Sequence, residues 1–71
     1  MKVLYSPHAK KRLLDRKISG AEVLLTLFEP DNQVYAERSR IIANKKFKSY
    51  TLEVVYVVED NDIIIVTLYY L

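Results

Sequence analysis

The chain has 71 residues, 11 Lys and Arg against nine Asp and Glu, and no cysteine. That allows one domain, residues 1–71, and excludes disulfides, thiolate nucleophiles and cysteine-held metal clusters. The net charge of +2 hides a split: residues 1–50 carry 11 basic and five acidic side chains (+6), and residues 51–71 carry no basic ones and four acids (−4).

One His, one Met and one Gly leave no material for a haem or copper site, a Walker loop or a dinucleotide fingerprint, so no cofactor and no metal is expected. A hydrophobic fraction of 51% is too high for a disordered chain. No apolar run reaches the 18 residues of a membrane span, and the N-terminus lacks the apolar core of a leader; the expectation is a cytoplasmic protein with no membrane partner. A domain this small sits near the lower limit of core size, so a bound partner or a homodimer is expected to matter to stability.

In chain order, Lys2–Tyr5 reads as a short edge strand. Ser6-Pro7 is a helix start, with Ser as N-cap and Pro at the first helical position, and the first helix is expected over Pro7–Lys17. Ser19-Gly20-Ala21-Glu22 fits the capping box, opening a second helix over Gly20–Glu29. Its polar residues Glu22, Thr26 and Glu29 fall on one narrow strip, which predicts a mostly buried helix. Pro30 ends it and Asp31-Asn32 make a turn. Strands are expected over Gln33–Ala36, Arg40–Phe47, Tyr50–Val58 and Ile63–Tyr70, with Glu59-Asp60-Asn61-Asp62 as a tight hairpin. The layout is α+β: a short N-terminal strand, then two helices packed on one face of an antiparallel sheet of three to four strands.

In the last two strands, Leu52, Val54, Tyr56 and Val58 alternate with Val55 and Val57. Ile63, Ile65, Thr67 and Tyr69 alternate with Ile64, Val66, Leu68 and Tyr70. Both faces are apolar, and two short helices cover only one. The second face is either a surface for a partner or a homodimer, or is folded into the core by curling of the strand ends.

His8, Arg12 and Arg16 recur at i, i+4 and i+8, forming one stripe on the first helix with Asp15 beside it. The stripe is either a phosphate-binding surface that includes an imidazole or a solvated helix face. Arg38, Arg40, Lys45, Lys46 and Lys48 form a second basic group, suited to a nucleic-acid backbone or to a solubilising turn. The six Tyr residues are stacking platforms for unpaired bases or plain strand formers.

The run Ser6-Pro7-His8-Ala9-Lys10-Lys11-Arg12-Leu13-Leu14-Asp15-Arg16-Lys17-Ile18-Ser19 resembles the opening motif of the DUF4258 family: a His, an Arg four later, another four later, then Ile-Ser before a second helix. The family's closing Thr and Tyr two apart are matched by Thr67 and Tyr69. Lys17 stands where the family often has Gly. In layout the family resembles the RelE/ParE toxin superfamily, including BrnT-like toxins.

That resemblance implies metal-independent RNA cleavage, in which the ribose 2′-OH attacks the adjacent phosphate, and neutralisation by an antitoxin-like partner protein. It implies His8 as base or acid, Arg12 and Arg16 on the phosphate, Tyr69 orienting or donating, and the second basic group on the RNA backbone. RelE-type enzymes carry their active residues on the open sheet face, whereas His8 lies on the first helix. Whether the two surfaces adjoin depends on hairpin register. Two rival functions remain: a non-catalytic module that associates with itself or a partner, and an enzyme for a small phosphorylated ligand in a concavity at His8, Arg12 and Arg16.

Overall fold

The computed structural model describes residues 1–71. The chain forms β1 (Val3–Tyr5), α1 (Pro7–Asp15), α2 (Gly20–Phe28), β2 (Asn32–Tyr35), β3 (Ile41–Lys46), β4 (Thr51–Glu59) and β5 (Asp62–Tyr70). The sheet has five strands in the order β1-β5-β4-β3-β2. It is mixed, not purely antiparallel, because β1 pairs parallel with β5, Val3 opposite Ile63 and Tyr5 opposite Ile65. The sheet expected with three to four antiparallel strands thus gains the N-terminal strand at the edge made by the C-terminal one.

Both helices pack on one side of this sheet, and one core joins Ala9, Ile18, Val23 and Leu27 to Ala43, Leu52, Val54, Tyr56, Ile63, Ile65 and Leu68. Ser6 caps α1, its hydroxyl accepting from the Ala9 N–H at 3.1 Å, and Ser19 and Glu22 complete the capping box of α2. On α2 the buried face is Val23, Thr26 and Leu27. The strip expected to face solvent is therefore partly inside: Thr26 is fully buried, its hydroxyl donating to the Glu22 carbonyl at 2.9 Å. That bond satisfies the hydroxyl locally, so the sheet accepts it. Leu24, Leu25 and Phe28 are turned outward instead, 46%, 40% and 56% exposed.

The faces of the sheet are set by a β-bulge. Val55 pairs with Thr67 but Tyr56 pairs with Ile65, which leaves Val66 without a partner residue. One extra residue inverts the side-chain alternation of β5. Ile63 and Ile65 face the helices before the bulge, and Leu68 and Tyr70 do so after it, each joining the core or packing on it. Thr67 and Tyr69 are thereby sent to the helix-free side. The uninterrupted alternation expected for Ile63–Tyr70 holds only up to Ile65.

Helix α1 ends at Asp15, two residues earlier than expected. Lys17 takes a left-handed conformation (φ 54°), the Ile18 N–H bonds the Leu13 carbonyl at 3.0 Å and the Lys17 N–H bonds the Leu14 carbonyl at 3.2 Å. This is the Schellman closure, in which Gly is favoured at the left-handed position. Replacing Lys17 by Gly should therefore stabilise the fold, by about 0.5–1 kcal/mol after allowing for the entropy glycine adds to the unfolded chain. An upward shift of the urea midpoint with unchanged slope is the expected observation.

Candidate functional site

Ser6 positions the site. Besides capping α1, its hydroxyl donates to the Val66 carbonyl at 2.9 Å and its N–H bonds the Ile65 carbonyl at 2.9 Å. Strand β1 has ended by then, so the first turn of α1 sits against the edge of β5 at its bulge. His8, one residue after Pro7, is exposed, and its Nε2 lies 3.1 Å from the Thr67 hydroxyl. The helix stripe and the helix-free face therefore adjoin, through the one residue on β5 that the bulge turns outward next to α1.

Thr67, Val55 and Ile42 lie in one row across β5, β4 and β3 on the helix-free side. Together with Ala36, Glu37, Arg38 and Arg40 of the β2–β3 connection they line an open groove of about 400 Å³. The connection is tight: the Ala36 N–H bonds the Arg40 carbonyl at 2.8 Å and the Arg40 N–H bonds the Glu37 carbonyl at 3.3 Å. Arg38 (φ 61°) and Ser39 (φ 59°) are both left-handed. That is the twist a two-residue hairpin loop demands and that Asn-Gly usually supplies. Left-handed backbone at two ordinary residues costs about 1–2 kcal/mol each, and it holds Arg38 beside the groove.

The next row on the same face is polar. The Tyr69 hydroxyl donates to Glu53 Oε2 at 2.5 Å, Asn44 Nδ2 donates to Glu53 Oε1 at 3.4 Å, and Asn32 Nδ2 donates to Asn44 Oδ1 at 3.3 Å. The ladder spans β5, β4, β3 and β2. The hydrogen bond to Glu53 raises the Tyr69 pKa above its ordinary value, burial and the carboxylate charge add to this, and the Arg12 charge opposes them. Arg12 is thus close enough for its field to reach the phenol from the α1 side. A tyrosine whose proton is given to a carboxylate is suited to hold a group in place, not to surrender that proton near neutral pH.

A second depression, of about 270 Å³, runs along α1 between His8, Lys11, Arg12, Asp15 and Arg16. Lys11 and Asp15 are paired across it at 3.0 Å. The structure thus brings together His8, Arg12, Tyr69, Arg38 and Arg40 around the β5 edge and the open groove, and puts Arg16 further along the α1 stripe. It does not bring the three lysines there. Lys45 faces the helix side, where its ammonium donates to the Glu29 carbonyl at the end of α2 at 2.7 Å and lies 4.0 Å from Asp31. The Lys46 amide is held by Asp31 at 2.7 Å, and Lys46 and Lys48 are exposed at the far end of β3 and in the β3–β4 connection. Among the tyrosines, Tyr5, Tyr56 and Tyr70 pack in or against the core and Tyr50 meets Tyr70 edge-to-face, with ring centres 4.6 Å apart, so only Tyr35 and Tyr69 remain for contact with a ligand.

Thr67 as the neighbour of His8, and Glu53, Asn44 and Asn32 as one row, were not expected site residues. Their only signal in the sequence is strand alternation, which specifies a shared face once pairing register and bulge are known. The family model described as a domain of unknown function, DUF4258, matches residues 5–70. The chain belongs to the DUF4258 family. No curated protein and no solved structure matches it. The matched region of this DUF4258 chain holds every residue of the groove, the ladder and the α1 stripe. No helix is long and apolar enough to cross a membrane.

The Tyr69–Glu53 pair has a measurable consequence. Glu53→Gln removes the charged acceptor, so the Tyr69 pKa should fall back toward about 10. The check is a pH titration of the tyrosine ring ¹³C shifts, with Tyr69→Phe assigning the signal. In the native chain the raised pKa favours the protonated phenol, so this contribution to stability is complete below about pH 10 and is lost as pH rises through the folded-state value.

Proposed function

We propose that this DUF4258 chain is a RelE/ParE-like toxin-type protein that binds single-stranded RNA on the helix-free side of its sheet and cleaves it there. The observation that carries the reading is the 3.1 Å approach of His8 to Thr67, which joins a basic helix stripe to a groove walled by Arg38 and Arg40. A groove with an apolar floor and cationic walls suits an unpaired base with its phosphate.

In the proposed reaction the 2′-oxygen attacks phosphorus and the P–O5′ bond breaks, leaving a 2′,3′-cyclic phosphate and a free 5′-hydroxyl. His8 takes the 2′ proton, Arg12 with Arg38 or Arg40 carries the charge of the pentavalent phosphorus, and the leaving oxygen takes a proton from solvent. Tyr69 orients the phosphate from its bond to Glu53. Arg16 extends the cationic track along α1.

Incubation of the protein with end-labelled RNA in the presence of EDTA should yield cyclic-phosphate ends. His8→Ala should lower the rate by at least about 100-fold while moving the melting temperature little, because the His8 side chain is exposed. Binding should weaken with salt, and Arg12, Arg38 or Arg40→Ala should each reduce the log–log salt slope by about 0.7. A protein that neither cuts RNA nor binds it in a salt-sensitive way removes this reading.

The rival reading, a non-catalytic module that associates with a second copy of itself, is favoured by a different surface. Ala21, Leu24, Leu25 and Phe28 are all exposed at i, i+3, i+4 and i+7 on α2, an apolar stripe pointing away from the core. Sedimentation equilibrium should then show a dimer that Phe28→Glu dissociates. A monomer at high micromolar concentration counts against it.

A further inference from the structure

The polar ladder offers more than support for the sheet. We infer that Asn44 and Glu53, backed by Asn32 and Tyr69, form a base-reading edge that selects an unpaired base bearing an exocyclic amine next to a ring acceptor, namely adenine or cytosine. The inference rests on the RNA-binding reading above and adds to it the kind of nucleotide recognised.

The ladder is the row immediately beside the groove floor on the same face: Glu53 follows Val55 by two residues on β4, and Asn44 follows Ile42 by two on β3. Two residues along a strand cover about 6.6 Å, so a ring lying on Ile42 and Val55 brings its hydrogen-bonding edge to Asn44 and Glu53. Its phosphate then lies toward Arg38 and Arg40, which wall the other side of that floor.

The row also has unused hydrogen-bonding capacity. Glu53 Oε2 is taken by Tyr69 at 2.5 Å, but Oε1 has only the Asn44 amide at 3.4 Å, and the next link of the ladder is 3.3 Å. Bonds that long are weak and exchangeable. Glu53 Oε1 therefore offers a free acceptor, and the Asn44 amide carries a second N–H beside it. Both residues are half-buried, in the row next to the groove floor.

A carboxylate in the middle of a face that takes phosphate repels the backbone. Aimed at a base, it has a use, because it accepts from an exocyclic amine as Glu does from cytosine N4. The adjacent amide N–H then donates to the ring nitrogen. Adenine and cytosine present that donor–acceptor pair. Uracil has carbonyls on both sides of its single ring N–H, one of which meets the carboxylate. Guanine presents two neighbouring donors and needs both carboxylate oxygens, of which Tyr69 holds one.

The test is fluorescence anisotropy with 2′-O-methyl six-mers of adenosine, cytidine, guanosine and uridine, which bind but are not cleaved by 2′-oxygen attack. The adenosine and cytidine oligomers should bind about tenfold more tightly than the uridine and guanosine ones. Glu53→Gln and Asn44→Ala should each reduce that preference to twofold or less, Glu53→Gln by raising the uridine affinity as the uracil carbonyl no longer meets a carboxylate, Asn44→Ala by lowering the adenosine and cytidine affinities, and both while keeping the salt slope. A ladder that only braces the sheet would lower the melting temperature in these variants and leave any base preference unchanged. Equal binding of all four oligomers by the native chain, or a preference that survives both substitutions, overturns the inference and leaves RNA binding standing. Failure to bind any oligomer overturns the RNA-binding reading on which it rests.

Discussion

The geometry of this protein depends on the clamp between Ser6 and the bulge of β5. One residue caps α1 and donates to the Val66 carbonyl through its hydroxyl, and holds the Ile65 carbonyl through its backbone N–H. The extra residue at Val66 turns the following side chains of β5 over, so that Thr67 and Tyr69 leave the core side and Leu68 and Tyr70 enter it. The clamp sets the helix start against the bulge, which is why His8 meets Thr67. Without the bulge, Thr67 would point under the helices and the α1 stripe would have no neighbour on the open face.

The charge segregation seen along the chain acquires a spatial meaning. The basic residues near the site come from α1 and from the β2–β3 turn, two segments far apart in sequence that flank the groove from opposite sides, α1 at β5 and the turn beyond β3. Most acids of the last 21 residues sit elsewhere: Glu59, Asp60 and Asp62 are at the hairpin tip, where Asp62 also receives the Lys2 N–H. Glu53 alone of that group stands in the middle of the open face. Tyr69 and Asn44 hold its carboxylate in place there.

A small core divides its apolar residues unevenly. Thirteen of 71 residues are buried, and the accessible surface of 4838 Å² is close to the ~4,600 Å² that size scaling gives for a compact chain of this mass. The surplus apolar area lies in two places. One is the open sheet face, where Leu4, Ile64, Val57 and Ile42 share the helix-free side around the buried Val55. The other is the outer stripe of α2, which exists because the sheet accepts the Val23–Thr26–Leu27 face and leaves the leucines and Phe28 outside.

The sequence by itself determined whatever depends on neighbours a few residues apart. The caps at Ser6 and Ser19, the order of helices and strands, the Asp60-Asn61 turn and the His8–Arg12–Arg16 stripe are local, since one turn of helix or one hairpin loop specifies each. The same local reasoning singled out His8, Arg12 and Arg16 as one stripe, and the resemblance to DUF4258 motifs added Tyr69. Only the tertiary structure decided which faces meet. The parallel pairing of β1 with β5, the inverted alternation after Ile65, the burial of Thr26, the use of Lys45 at the end of α2 and the Asn32–Asn44–Glu53–Tyr69 row depend on residues nine to 60 positions apart. A strand pattern states that alternate side chains share a face, but pairing register and a single unpaired residue decide which face that is.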